Sequence, residues 1–197
     1  MLKRSAVKRF FVGVVLCLTI ITTPSCFRGG SIQEVKTLEL IEKEIPALDK
    51  DCLVIFDVDW TLLIGKDCIN RLADPSGRKK YFKGATENLN KEEWEDFTSR
   101  MILQQELMLV SKKTPNLIKQ LQEKGVKVIA LTAATTGSFG VIEKTEDRRF
   151  EELKDQDIDF SSAFPGHEEI EFTELKKDPR GSYPRFKKGI LFGMNKG

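Results

Sequence analysis

Two aspartates, Asp57 and Asp59, close a run of four apolar residues, Leu53-Val54-Ile55-Phe56, and Thr61 follows two positions later. An unbroken apolar run bounded by polar residues predicts a parallel strand buried on both faces. Alternate side chains on such a strand share a face, and α/β sheets bind their ligands at the carboxyl ends of strands. No residue from 51 to 65 is basic. Carboxylates gathered at a strand end are costly unless a cation or chemistry uses them. A second apolar run, Val126 to Leu131, ends in the hydroxyl of Thr132. Two polar strand ends of this kind call for an acid, a base or a nucleophile.

The segment Asp57-Val58-Asp59-Trp60-Thr61 resembles the D-x-D-x-T signature of the haloacid dehalogenase (HAD) superfamily of phosphotransferases. The resemblance covers roughly residues 33–197 and points to an exported, host-associated Gram-negative branch. It implies that Asp57 attacks phosphorus, forms an aspartyl phosphate and binds Mg²⁺. Asp59 would protonate the leaving oxygen and then activate water, while its backbone carbonyl contacts the metal. A metal ion relieves the repulsion between carboxylate and phosphate, and magnesium prefers hard oxygen ligands. The same resemblance makes Thr132 the hydroxyl that holds the phosphoryl group. It makes Lys196, after the third apolar strand, the lysine that neutralises it, with Lys187 and Lys188 as rivals. The second aspartate separates phosphatases and phosphotransferases from dehalogenases. Trp60 stands where the superfamily often has a small residue.

Other chemistries fit less well. A calcium loop of EF-hand type requires a glycine that is absent. His167 is the only histidine, which excludes paired-histidine phosphatase chemistry and a His-rich zinc site. Removing residues 1–25 takes away Lys3, Arg4, Lys8 and Arg9, leaving 28 of the 32 basic residues against all 30 acidic ones. A body so balanced carries no electrostatic footprint for nucleic acid.

Those four basic residues precede the apolar run Phe10 to Ile21, and Thr23-Pro24-Ser25 supplies small residues for cleavage. This pattern predicts an export signal over residues 1–25. The run is shorter than the about 20 residues a spanning helix needs. Cys26 raises a lipoprotein reading, although Thr23 stands where a lipobox carries leucine. The expected location is therefore the periplasm or a membrane surface, reached through the N-terminal segment or a lipidated Cys26. Cys52 and Cys68 fall on either side of the first strand, too far apart for a disulfide unless the chain doubles back. Both read as small buried residues.

The elements that must position these groups follow in order. Val35, Leu38, Ile41 and Ile45 have helical spacing, ended by Pro46. Residues 64–113 form an insertion, irregular around Asp74-Pro75-Ser76-Gly77. Asn90 and Glu93 then make a capping box, opening a helix marked by Trp94, Phe97, Met101, Leu107 and Met108. Thr114 caps the next helix, with Pro115 at its first position and Gly125 beyond its last turn. The loop Ala133 to Gly137 reads as flexible, and Glu143 to Leu153 as a charged, solvated helix. Ile170 to Leu175 and Tyr183 to Lys188 suit a hairpin across Asp178-Pro179-Arg180-Gly181. Ile190-Leu191-Phe192 is a last strand.

This order predicts an α/β fold with a parallel sheet. The resemblance implies a Rossmann-like HAD core over 33–63 and 114–197, with 64–113 as a helical type I cap. The family's fourth motif, further acids after another strand, is absent before Gly197. The expectation is thus an exported Mg²⁺-dependent phosphatase of small phosphomonoesters, truncated, weak or inactive, with Leu53–Phe56 left as a poorly protected edge strand. The alternatives are a non-catalytic binding remnant of the same ancestry and a helical interaction protein whose aspartates are incidental.

Overall fold

The computed structural model describes residues 34–67 and 75–193. From Val35 onward they belong to one compact unit. Residues 1–25, Cys26 and Cys68 lie outside the described residues, as does Lys196. No helix among the described residues is long and apolar enough to cross a membrane.

The architecture is mixed α/β, with a central sheet compatible with a Rossmann-like fold. Its strands in chain order are β1 (Leu53–Asp57), β4 (Lys127–Thr132), β5 (Glu169–Glu171), β6 (Arg185–Lys187) and β7 (Ile190–Phe192), arranged β1-β4-β7-β6-β5. The half that bears Asp57 and Thr132 is parallel: β1 pairs with β4, and β4 with β7. The far half is antiparallel. Lys188 and Gly189, with φ of 49° and 80°, form a two-residue turn between β6 and β7. A Cβ at Gly189 would strike the Phe160 backbone, so the turn needs a residue without one. The hairpin predicted across 178–181 is present, with its ladder confined to β5 and β6.

A second sheet of two antiparallel strands, β2 (Leu63–Gly65) and β3 (Leu107–Leu109), brackets the insertion. Between them lie α1 (Pro75–Thr86) and α2 (Lys91–Gln104). The helix α1 corrects the irregular stretch expected at 74–77. Asp-Pro-Ser-Gly suits a turn, but proline is equally at home in a first helical turn. Leu107 and Met108, expected on α2, belong to β3 instead, because the helix ends at Gln104. The capping box is formed: Asn90 Oδ1 accepts from Glu93 N–H and Glu93 Oε2 from Asn90 N–H, both at 3.0 Å.

α3 (Thr114–Glu123) and α4 (Thr145–Lys154) complete the core. Leu117, Ile118 and Leu121 from α3 join Phe150 and Leu153 from α4 in one buried cluster. Phe56, Val128, Ala130, Ile190 and Phe192 of the sheet belong to it too. Thr114 does not cap α3; it is buried and its hydroxyl has no hydrogen-bond partner. Gly125 ends the helix as expected, with φ 79° and Val126 N–H closing onto Leu121 C=O at 3.1 Å. The segment predicted as an amphipathic helix from Val35 instead makes two short 3₁₀ turns, Leu38–Lys43 and Ile45–Ala47, neither capped by a side chain. Pro46 sits in the first positions of the second turn, where its missing N–H is tolerated.

β1 departs from its predicted burial. Leu53 and Ile55 are each 49% exposed, whereas Phe56 on the opposite face is buried. The strand is indeed at the sheet edge, as expected for a strand lacking a neighbour. Leu53 and Ile55 share one face of the strand, and that face is not covered by a packed layer.

The charged helix is not a solvated face either. Glu146, Phe150 and Leu153 of α4 are buried. The loop before it is likewise fixed rather than flexible. Thr145 Oγ1 donates to Thr135 C=O at 2.5 Å, Thr136 Oγ1 to Tyr183 C=O at 2.8 Å, and Gly137 N–H to Glu146 Oε2 at 2.8 Å. The same loop seats the insertion. Val141 N–H donates to Ser99 Oγ of α2 at 3.0 Å, and Gly140 lies so close that a Cβ there would strike Ser99 Oγ and the Glu95 carbonyl.

Candidate functional site

Asp57 is the last residue of β1 and pairs with Leu131, one residue before Thr132. Parallel pairing thus brings both polar strand ends to the same sheet edge. The chain then tightens. The N–H groups of Thr61, Leu62 and Leu63 converge on the Val58 carbonyl at 3.4, 2.9 and 3.0 Å. Trp60 adopts φ 66°, a left-handed conformation that costs a non-glycine residue about 1 kcal/mol or more. This loop turns Asp59 back over the strand ends. Thr132 Oγ1, fully buried, donates to Asp59 Oδ2 at 3.0 Å and accepts from Ala134 N–H at 3.1 Å. Thr61 Oγ1 lies 3.4 Å from Asp57 Oδ2. Asp57, Asp59 and Thr132 are therefore brought together.

The cluster extends onto α4. Arg149 Nη2 lies 3.1 Å from Asp59 Oδ1, and its Nη1 lies 3.2 Å from Glu152 Oε2. Glu152 also pairs with Arg148, whose Nη2 donates to Ile102 C=O at 2.6 Å. Burial pushes the Glu152 carboxyl above its ordinary range despite the attraction of Arg149 and Arg148. Burial also holds the Arg148 guanidinium below its ordinary range, outweighing Glu152. Desolvation thus prevails over attraction in both partners.

Above Asp59 opens a cavity of about 670 Å³, lined by α2, β2, β3, α4 and the loops around 134 and 178–180. Its size suits a small ligand. Asp178 closes one wall. Burial alone would raise its carboxyl, but hydrogen bonds from Ser182 N–H, Arg180 N–H and the Arg180 guanidinium hold it below the usual range.

Two lysines proposed from sequence do not reach the cluster. Lys187 pairs with Asp147 at 2.5 Å, and Lys188 lies 4.0 Å from the centre of the Phe150 ring. Lys187 ends β6 and Lys188 lies in the turn before β7, away from the carboxyl ends where Asp57 and Thr132 lie. Lys196 is outside the described residues.

A family model described as "Protein of unknown function (DUF2608)" matches residues 34–197. The chain belongs to this family. This DUF2608 chain is 29% identical over 174 residues to an uncharacterized protein of Rickettsia bellii, covering 82% of its own length and 58% of the relative's. It is 37% identical over 82 residues to an uncharacterized protein of Rickettsia conorii, covering 41% of itself and 28% of that protein. It thus spans little more than half of the first relative and about a quarter of the second. No solved structure matches it.

The donors of this DUF2608 site are hard oxygens, the type magnesium takes. Both carboxylate oxygens of Asp59 are already engaged, by Arg149 and Thr132. The oxygens that could hold a cation are the Asp57 carboxylate and the Asp59 backbone carbonyl. No group of three or more His, Cys, Asp or Glu is gathered for a metal among the described residues. Sequence reasoning missed Arg149, Arg148 and Glu152. Their signal was present as charges at helical spacing flanking Phe150 and Leu153, a pattern read as solvated.

Proposed function

We propose that the chain carries a HAD-like phosphatase site acting on small phosphomonoesters, with residues 64–113 as its cap. The observation that carries this reading is the Thr132–Asp59 hydrogen bond at 3.0 Å. It joins two polar strand ends, far apart in sequence, beneath a ligand-sized cavity. Asp57 attacks phosphorus, forming an O–P bond as the ester O–P bond breaks. Asp59, after releasing Arg149 and taking up a proton from solvent, gives that proton to the departing alkoxide oxygen. It then takes a proton from the water that attacks the aspartyl phosphate, releasing phosphate and restoring both acids. Thr132, buried and held by Ala134 N–H, sets the angle of Asp59 and, once Asp59 moves away, turns its one hydroxyl proton to a phosphoryl oxygen. Arg149 compensates the charge that Asp59 carries between steps. Asp57 and the Asp59 carbonyl would hold a Mg²⁺, which would supply neutralisation of the negative charge at the site.

Turnover is expected to be slow, because Asp59 must exchange its contacts with Arg149 and Thr132 to move a proton. The engaged Asp59 favours the second reading, a binding protein that holds a phosphorylated ligand without cleaving it. The test is release of phosphate from p-nitrophenyl phosphate by the purified chain with and without Mg²⁺. Metal-dependent release that falls to background in Asp57→Asn is the expected result. Tight phosphate binding without release supports the second reading, and activity unchanged in Asp57→Asn overturns the first. Residues 1–25 are proposed to direct export, and cell fractionation finding the intact chain in the cytosol would overturn that.

A further inference from the structure

The cavity above Asp59 also bears on the group attached to the phosphate. Three aromatic rings line it from three separate segments: Trp60 after β1, Trp94 on α2 and Phe139 before α4. Trp60 and Trp94 are 44% and 42% exposed. Trp94 and Phe139 meet edge to face, their ring centres 5.8 Å apart. Trp60 is held there in a left-handed backbone conformation. Large rings left half-open around one cavity provide an apolar surface for a ligand to cover.

The charges around the rings point the same way. Arg148, Arg149 and Arg180 line the cavity, together with the carboxylates Asp59, Glu95, Glu152 and Asp178. Each arginine is already matched: Arg148 to Glu152, Arg149 to Asp59 and Glu152, Arg180 to Asp178. The cavity therefore presents no surplus positive charge to attract a second phosphate or carboxylate.

We propose that this cavity receives a flat, uncharged ring, making small ring-bearing phosphomonoesters the preferred ligands; the phosphate half of this proposal rests on the phosphatase reading. Trp60, Trp94 and Phe139 are then specificity residues that stack on the ring, while Asp59 marks the phosphate end.

The two tryptophans of the sequence both line the cavity, so intrinsic fluorescence of the full chain reads its occupancy. Titration with naphthylmethylphosphonate, cyclohexylmethylphosphonate and ethylphosphonate tests the proposal. The naphthyl compound should quench emission and bind about tenfold more tightly than ethylphosphonate, with the saturated ring between them. Trp94→Ala and Phe139→Ala should each erase most of that preference. Trp60→Gly, which keeps the left-handed backbone without strain, should do the same. Trp94→Leu replaces Trp94→Ala if the latter does not fold. Equal affinity for naphthyl and ethyl compounds, or a preference unchanged in all the variants, overturns the proposal. Asp57-dependent turnover without ring preference overturns it while leaving the phosphatase reading standing. Binding of naphthylmethanol as tight as its phosphonate, with no Asp57-dependent turnover, removes the phosphatase reading and upholds the ring site.

Discussion

Helix α4 feeds two ionic clusters built from the same residue types, and they are finished differently. At its first turn Glu146 is 1% exposed, and its oxygens take Gly137 N–H at 2.8 Å and Arg185 Nη1 at 3.0 Å. Arg185 is shared with Glu169 and Glu171, and the neighbouring Asp147 with Lys187. This cluster ties the helix, the loop and the antiparallel half of the sheet together. Three residues after Glu146, Arg149 belongs to the other cluster, whose Asp59 side chain remains 43% exposed beneath a cavity. At Glu146 the matched charge is closed off from solvent and fixes the structure, although its outer partners Glu169 and Glu171 are 48% and 42% exposed. Matched charge left open on one side can exchange partners with a ligand.

That contrast predicts opposite outcomes for similar substitutions. The largest loss of stability should come from Glu146→Ala, about 3 kcal/mol, because it leaves a buried N–H and one face of Arg185 without a partner. The urea midpoint measures it, and a loss under about 1 kcal/mol would erase the distinction between the clusters. Asp59→Asn should change stability by no more than about 1 kcal/mol. On the proposed mechanism it should cut turnover about a hundredfold, read by phosphate release. Arg149→Met takes a partner from Glu152, whose side chain is only 13% exposed, and should cost about 2 kcal/mol. It should also lower turnover, read by phosphate release, because Asp59 loses its compensating charge; turnover that does not change would make Arg149 purely structural.

The smallest effect is in pH. Burial raises Glu152 above the ordinary glutamate range, whereas the hydrogen bond from Lys187 lowers Asp147. A raised carboxyl contributes stability that is complete below its unfolded value and lost as pH rises through the folded one. A lowered carboxyl contributes above its unfolded value and loses that contribution as pH falls through the folded one. Wild-type stability relative to Glu152→Gln should therefore fall as pH rises through the Glu152 titration. Carbon NMR should show Glu152 taking up its proton well before Asp147 on acidification. The reverse order would mean that the open cluster is the better solvated one.

The parts of the fold that rest on local chemistry were legible in the sequence. Apolar runs placed β1, β4 and β7, while Asn90 and Gly125 marked helix ends through side-chain and backbone rules that act within four or five residues. Parallel pairing followed from the strand–helix order, and with it the approach of Thr132 to the aspartates. What the sequence hid depends on distant partners. Leu53 and Ile55 look like core because apolarity says nothing about which neighbour is present. The charges of α4 look solvated because their partners, Arg185, Asp59 and the Ile102 carbonyl, are supplied from far along the chain. Asp74-Pro75 signals a turn and a helix start with the same two residues.

Gly140 has a consequence of another kind. The insertion rests on the core at a point where a bare backbone meets Glu95 and Ser99, with no room for a Cβ. Every change at the first or second base of a glycine codon adds a side chain or ends translation. A change at either of those bases therefore sets a side chain against α2, and should push Trp94 away from the loop that bears Phe139. The width of the cavity is one mutational step from being reset, while every residue that lines it stays the same. Related genes with different ligands should be compared at this codon first.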